Sequence, residues 1–283
     1  MHVAFCAVNG AQGRFAGSNV DYRTVLQYSW TPSLMTYASI ATGFKGGGVN
    51  PRPFYPEQAN PFEPETLTAY EVGVKSDWLA QTLQANFSMF LNKYKEIQRA
   101  SRTGCNLQPT QTFCSLYLNA GDGELRGAEL ELLLRPLDGL MIDASYSYLD
   151  FAYGTLSQLA LDAGVRSNMS TPYAPENKYS LGAQYEIPLG GSGYLTPRLD
   201  LSHQSSLYTA VVNDWTSRVP GYTLLNGRLT WQQADGQWQV SLEGTNLTDK
   251  LYYTGYLYNS SSSTIIGAPA PPREWALTVK RSF

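Results

Sequence analysis

The chain has 283 residues, enough for one large β domain or two ordinary ones. Charged residues make up 15%, against ~25% in ordinary soluble domains, while aromatics reach 13% with 20 Tyr. A net charge of −3 argues against nucleic acid as a partner, and the lack of any run of about 18 apolar residues excludes a membrane helix. Low charge and many Tyr suit a transmembrane barrel or a soluble β-sandwich, and composition does not choose between them.

Residues 1–20 form a poorly defined N-terminal segment. The apolar piece His2 to Val8 lacks the basic start and the length of an export signal. Phe5 is too large for the position before a lipoprotein Cys6. An exported protein of this kind is expected to begin upstream of Met1.

From Tyr22 onward a period of two takes over, which predicts strands and not helices. Tyr22 to Trp30 sets Thr24, Leu26, Tyr28 and Trp30 on one face, and Leu34 to Phe44 follows after a short turn. Thr66 to Ser76 opposes Tyr70, Val72 and Val74 to Glu71, Gly73 and Lys75. Thr82 to Gln98 puts Leu83, Ala85, Phe87, Met89 and Leu91 opposite Gln84, Asn86, Ser88 and Asn92. Gly121 to Arg135 carries Ala128, Leu130, Leu132 and Leu134 against Glu129 and Glu131, and Leu140 to Tyr153 alternates in the same way. A seventh strand carries Tyr179 to Ile187 on its apolar face. The eighth, Tyr194 to Gln204, is weakened by Pro197, which removes a ladder donor. Tyr222 to Trp231 and Trp238 to Tyr253 lead to the closing segment, Arg273 to Phe283. There Trp275, Leu277, Val279, Arg281 and Phe283 share one face. About 9–11 residues is the length of a tilted membrane-crossing strand.

The connections alternate short and long without a break. Thr31–Ser33, Asp77–Gln81, Pro136–Gly139, Pro188–Gly193 and Gln232–Gln237 are short; Lys45–Glu65, Arg99–Ala120, Gly154–Ala174, Ser205–Gly221 and Thr254–Pro272 are long. Short turns at one end and long loops at the other are the pattern of bacterial outer-membrane barrels, and sandwiches have no reason for it. The expected fold is an all-β, antiparallel, up-and-down transmembrane barrel with about eleven strands present. Its polar faces line the lumen and its apolar faces meet lipid. Tyr22, Trp30, Trp78, Tyr153, Trp231, Trp238 and Tyr253 are expected in interfacial girdles. Cys105 and Cys114 close a loop rich in Thr, Gln and Asn. A local disulfide is expected there in an oxidising compartment, with two unrelated thiols as the alternative.

The closing strand resembles that of bacterial outer-membrane barrels, which implies that the assembly machinery reads Trp275, Leu277, Val279 and Phe283. Arg281 stands where the family more often has an aromatic. Tyr37-Ala38-Ser39 with Gly43-Phe44-Lys45-Gly46-Gly47-Gly48-Val49-Asn50-Pro51 resembles the TonB-dependent outer-membrane receptors. So do Pro64-Glu65-Thr66-Leu67-Thr68-Ala69-Tyr70-Glu71-Val72-Gly73-Val74-Lys75, Arg126-Gly127-Ala128-Glu129-Leu130-Glu131 and Asn246-Leu247-Thr248-Asp249-Lys250-Leu251-Tyr252-Tyr253. The likeness runs over residues 21–283 and is to the C-terminal half of a 22-stranded barrel. In that family an N-terminal plug fills the barrel and a short box binds TonB; neither is found in this sequence, which therefore reads as a barrel half.

The resemblance implies uptake of a large, scarce solute such as a ferric siderophore in the bacterial outer membrane. Partners would be lipid, the barrel-assembly machinery, and TonB only through an N-terminal region. A small passive pore without energy coupling, with His2 to Val8 as a twelfth strand, is the alternative. Tyr252, Tyr253, Tyr256 and Tyr258 enter the last long loop and are the ligand-contact candidates, with girdle and loop packing as the plainer reading. No cofactor, metal or enzymatic activity is expected. His203 with Ser205 lacks a nucleophile elbow, and Glu129 with Glu131 reads as a charge ladder opposite Arg and Lys. Asp138-Gly139 and Asp235-Gly236 read as turns, and Gly46-Gly47-Gly48 as flexible loop without a phosphate-loop ending.

Overall fold

The computed structural model describes residues 12–50, 60–101, 116–259 and 263–282. Eleven long strands form one antiparallel meander in chain order. They are β1 (Arg23–Thr31), β2 (Leu34–Lys45), β3 (Glu65–Trp78), β4 (Leu83–Lys95), β5 (Gly121–Leu137) and β6 (Leu140–Leu156), then β7 (Asn177–Tyr185), β8 (Tyr194–Gln204), β9 (Tyr222–Gln232), β10 (Trp238–Thr245) and β11 (Glu274–Arg281). β1 and β11 are the outer strands, each paired on one side only among the described residues.

Register keeps like with like. Phe87 sits between Val74 and Leu130, all on the apolar face. On the other face Asn86, Glu131, Ser145, Ser180 and Ser202 form one row across five strands. A slip of one residue would exchange the two faces, so the alternation fixes the pairing.

Pro197 leaves its mark on its neighbour and not on its own strand. β8 is unbroken, but β7 stops at Tyr185 and pairing resumes at Ile187–Pro188. The register is the same on both sides, Gln184 opposite Arg198 and Ile187 opposite Leu195. Only the bond that Pro197 cannot donate is lost. The Asp-Gly turns are as expected: Gly139 and Gly236 have φ of +80° and +73°, and Asp235 Oδ1 accepts from the Gln237 N–H at 2.9 Å.

At the short-turn end three indoles find partners. Trp30 donates to Thr36 Oγ1 at 3.0 Å, Trp78 to Ser76 Oγ at 2.9 Å and Trp231 to the Ser192 carbonyl at 2.9 Å. The Arg281 guanidinium, standing where the resemblance more often has an aromatic, lies 5.1 Å from the Trp238 ring centroid in a cation–π contact.

The long loops depart most from expectation. The fourth strand was expected to run to Gln98 but ends at Lys95, because Glu96 turns into left-handed backbone at φ +54°. The tenth was expected to reach Tyr253 but ends at Thr245. Asn246 and Asp249, at φ +49° and +51°, turn the chain away. Beyond the sheet the loops build hairpins of their own: Gln98–Ser101 with Leu116–Asn119, Leu207–Tyr208 with Arg218–Val219, and Tyr253–Asn259 with Thr264–Pro269. Gly48, expected in a flexible run, pairs with Phe62.

The buried apolar core lies among these loops. Ile97, Leu118, Ala120, Tyr153, Ala160, Ala163 and Val165 pack together. They are joined by a short helix, α1 (Gln158–Asp162), whose Ala160 N–H is capped by Ser157 Oγ at 3.2 Å. Tyr153, expected in a girdle, is 5% exposed and belongs to this core.

Candidate functional site

The polar face of the sheet makes a wall, and the loop cap stands above one end of it. At the centre of the wall is a concavity of about 610 Å³, with Glu129, Glu131, Ser145, Lys178, Ser202 and Tyr222 among its lining. Glu129 stands between Ser88 and Ser147, and Glu131 between Asn86 and Ser145. The expected ladder opposite Arg and Lys is therefore a ladder opposite Ser and Asn, with Asn86 Nδ2 reaching Glu131 Oε2 at 3.4 Å.

Larger side chains lie flat across the wall. A Cβ at Gly73 would strike the Tyr37 ring, one at Gly127 the Phe90 ring, and one at Gly182 the Arg198 guanidinium and Asp143. Each glycine lets its neighbour from the next strand lie down. Arg198 then bonds Asp143 (Nη1 to Oδ1, 2.9 Å) and Asp200 (Nε to Oδ2, 3.0 Å), and Tyr37 donates to Glu71. Arg198 is thus held between two carboxylates by charge-assisted bonds, while Glu71 accepts from a neutral phenol.

The cap is tied to the wall by two side-chain amides, the buried Gln98 and the half-buried Asn119. Gln98 Nε2 donates to the carbonyls of Gly46 at 2.9 Å and Glu63 at 3.1 Å, and its N–H donates to Glu65 Oε2 at 2.7 Å. Asn119 accepts from the Glu63 N–H at 2.8 Å and donates to the Glu63 and Glu96 carbonyls, both at 2.9 Å. Arg99 reaches Tyr153 Oη at 3.3 Å and Thr171 Oγ1 at 2.9 Å. The first three long loops are thereby joined into one block.

The tyrosine candidates separate into pairs. Tyr252 packs on Tyr222, centroids 4.4 Å apart, at the top of the wall. Tyr253 packs on Tyr256 at 5.2 Å, both rings lying where a Cβ on Gly267 would be. Tyr258, opposite Ile265, stands apart and is 41% exposed. Tyr256 is also an anchor: its carbonyl accepts from Thr209 Oγ1 at 2.9 Å, tying the last loop hairpin to the preceding loop. In the sequence Tyr222 marks only the start of a strand. Its even position, which it shares with Gln204 across the ladder, is the signal that puts it on the wall.

Asn246 explains one of the recognised motifs. It accepts from the Lys250 N–H at 2.8 Å and donates to the Lys250 carbonyl at 3.0 Å, while Asp249 Oδ1 accepts from the Arg273 N–H at 3.0 Å. Leu247 fills the space left by the paired glycines Gly227 and Gly244. The motif is thus a folded corner that launches the last loop.

His203 and Ser205 do not meet. His203 stacks on Tyr179 at 4.7 Å and its Nδ1 is 2.8 Å from Thr223 Oγ1, whereas Ser205 Oγ accepts from the Asn177 N–H at 3.0 Å. Among the described residues no group of three or more His, Cys, Asp or Glu is placed to hold a metal. Trp275, Leu277 and Val279 share one exposed face of β11, opposite Gly244, Leu242 and Val240. Cys105, Cys114 and Phe283 lie outside the described residues.

The family profile of the TonB dependent receptor-like β-barrel matches residues 6–247. The ferrioxamine B receptor of Salmonella typhimurium is 26% identical over 259 residues, which is 89% of this chain and 34% of that receptor. The ferric-pyoverdine M114 receptor PbuA of Pseudomonas sp. is 24% identical over 95% of this chain and 32% of its own length. The chain thus spans about a third of the length of the curated relatives it matches. In fold it resembles the ferric yersiniabactin uptake receptor FyuA of Yersinia pestis, with a TM-score of 0.75 and 21% identity over 92% of this chain and 37% of that one. The siderophore receptor PiuA of Acinetobacter baumannii gives 0.68 and 21%, over 92% and 35%. An eleven-stranded meander with a polar wall, an apolar face and a loop cap, matched by this profile over most of its length, belongs to the TonB-dependent receptor β-barrel family.

Proposed function

We propose that this chain is the C-terminal part, residues 21–283, of the wall of an outer-membrane receptor that takes up a ferric siderophore with energy from TonB. The observation that carries the reading is the division of the sheet into two faces. On the apolar face, among the described residues, no charged residue stands between the Trp78 and Trp238 level and the ion pairs Arg126–Asp150 and Lys93–Glu124. From Leu137 to Arg126 a tilted strand climbs about 28 Å, close to the apolar band of outer-membrane barrels. The opposite face is polar and concave, as the inside of a solute path requires.

The named relatives are receptors for ferric siderophores, which makes such a chelate the best supported solute. The first three long loops form a preformed mouth above the wall, and Tyr252, Tyr253, Tyr256 and Tyr258 offer aromatic surface at its rim. Tyr252 on Tyr222 is the pair nearest the wall. In this reading the plug and the TonB-binding box come from sequence outside this chain, and the wall residues serve transport without catalysis. The assembly machinery would recognise Trp275, Leu277, Val279 and Phe283, and Cys105 would be bridged to Cys114 in exported protein. Alkylation without reductant followed by mass spectrometry should find both thiols blocked; free thiols at both positions would end that pairing.

The uptake test joins the whole chain behind the plug and first eleven strands of the ferrioxamine B receptor, in a host lacking siderophore receptors. Radioactive iron supplied as ferrioxamine B or ferric-pyoverdine should enter only when TonB is present. Entry of small solutes independent of TonB, with no iron uptake, would instead favour a passive pore.

A further inference from the structure

The apolar face of the sheet carries one groove. In the row Val72–Met89–Ala128–Tyr148, which crosses β3 to β6, Ala128 is the one short side chain. It stands between Met89 and Tyr148, in a concavity of about 400 Å³ that also takes in Tyr70, Leu91 and Arg126. Val72 and Met89 are exposed, so the groove is open to whatever lies outside the sheet.

One row nearer the long loops, Leu91, Arg126 and Asp150 stand side by side. Arg126 Nε and Nη2 both donate to Asp150 Oδ2, at 2.9 and 2.7 Å, which orients the guanidinium. Its third nitrogen, Nη1, has no hydrogen-bond partner among the described residues, and the side chain is 67% exposed. A second exposed cation, Lys93, follows one row further out, 3.6 Å from Glu124.

Depth selects the occupant. The groove lies inside the apolar band, directly below the row where the first charges of the outer face appear. A molecule seated there needs hydrocarbon at the level of Ala128 and a polar end at the level of Arg126, which is the build of a lipid. An acyl chain restores the dispersion contacts that an unfilled groove forfeits. The free edge of the guanidinium offers donors to an oxyanion, and arginine pairs with phosphate in this way. The long-loop end is the outer side, so the lipid belongs to the outer leaflet. Resting on the barrel reading above, we propose that this groove is a binding site for a phosphate-bearing lipid of the outer leaflet. One acyl chain lies between Met89 and Tyr148, and the phosphate accepts from Arg126 Nη1.

The test uses the completed barrel, the full chain behind the plug and first eleven strands of the ferrioxamine B receptor, refolded in detergent. Lipid A and lipid A stripped of its phosphates are added separately, and bound lipid is counted by native mass spectrometry. The unmodified barrel should retain lipid A at least tenfold better than the stripped form, and inorganic phosphate should not displace it. Ala128→Leu fills the groove and should lower retention of lipid A at least tenfold. Ala183→Leu, on the same face between Ile142 and Leu199, should leave it unchanged. Arg126→Gln should bring lipid A down to the level of the stripped form. Heat-modifiable mobility checks the fold of each variant, and Ala128→Val replaces the leucine variant if that one does not fold. Retention unaffected by filling the groove or by Arg126→Gln, equal retention of the two lipids, or displacement by inorganic phosphate would each overturn the proposal. An unmodified barrel that never becomes heat-modifiable would sink the barrel reading and the lipid site with it. A folded barrel that retains the lipid and takes up no iron would count against the transport reading alone.

Discussion

Met89 and Ile97 are eight residues apart, yet Met89 is 52% exposed in the sheet and Ile97 is 1% exposed in the cap. Sheet and cap have inverted relations between apolar side chain and solvent. In the cap, Ile97, Leu118, Tyr153 and Val165 turn inward around α1 as in any water-soluble core. In the sheet, Val72, Met89, Leu181, Leu199 and Leu277 turn outward in one continuous field that no element of the chain covers among the described residues. A field of that extent is stable only against a non-aqueous solvent or a partner. The boundary between the two regimes is drawn by Arg126–Asp150 and Lys93–Glu124, the first ion pairs met on the outer face.

The largest expected effect tests whether the cap is a separate cooperative unit. Leu118→Ala should cost about 2–5 kcal/mol of local stability, as for other buried leucines. Hydrogen exchange in the completed barrel should show faster exchange across Ile97, Leu118–Ala120 and α1, with heat-modifiable mobility unchanged. If the whole barrel loses heat resistance to the same degree, cap and sheet are one unit.

On the sheet, Phe87→Arg and Leu132→Arg should each lower barrel stability by about 2–4 kcal/mol, because a cation on this face meets lipid near mid-depth. Asn86→Arg and Ser145→Arg, one residue along and on the polar wall, should cost much less; Asn86→Arg places its charge beside Glu131. Urea titration of the completed barrel in vesicles measures both. Equal costs on the two faces would show that the sheet has no lipid side.

The comparison also shows why one region was legible in the sequence and the other was not. A strand with one solvent on each face writes its structure as alternation, and residues such as Phe87 and Asn86 fall on the expected sides in every long strand. The short turns announced themselves through Asp-Gly and Pro. The cap writes no period. Tyr153 closes a run of alternating residues and reads as one more girdle aromatic, and only the loops folding over it make it core. The early end of β10 was hidden because Asn246 and Asp249 adopt left-handed backbone, although Leu247 and Leu251 fall on the opposite parity from Trp238, Val240 and Leu242 and so mark the break. Gln98 and Asn119 join loops more than fifty residues distant, to Gly46 and Glu63, and nothing local marks them. Of the four candidate tyrosines, pairing with Tyr222 sets Tyr252 apart, and that depends on a strand start thirty residues earlier.

A smaller effect probes the joint between the regions. Asn246 is 3% exposed and holds both the N–H and the carbonyl of Lys250. Asn246→Ala should cost about 1–3 kcal/mol, since both backbone groups lose their partner. The damage should appear as protease cleavage between residues 250 and 272, sparing the strands. Cleavage that stays at the unmodified rate would mean that Asp249 and Leu247 hold the corner alone.

The smallest expected effect sharpens the cap itself. Ser157 Oγ does two things: it accepts from the Ala160 N–H at the start of α1 and donates to the Asn119 carbonyl at 2.8 Å. Loss of a helix cap costs about 0.5–2 kcal/mol, and a single-turn helix such as α1 has little else of its own to hold it. Ser157→Ala should therefore speed exchange of the Ala160 and Leu161 amides several-fold while leaving those of β4 and β5 unchanged. Ser157→Thr keeps the hydroxyl and should restore slow exchange. If Ser157→Thr behaves like Ser157→Ala, the hydroxyl is not what holds the helix, and packing of Ala160, Ala163 and Val165 against Leu118 and Tyr153 carries the cap by itself.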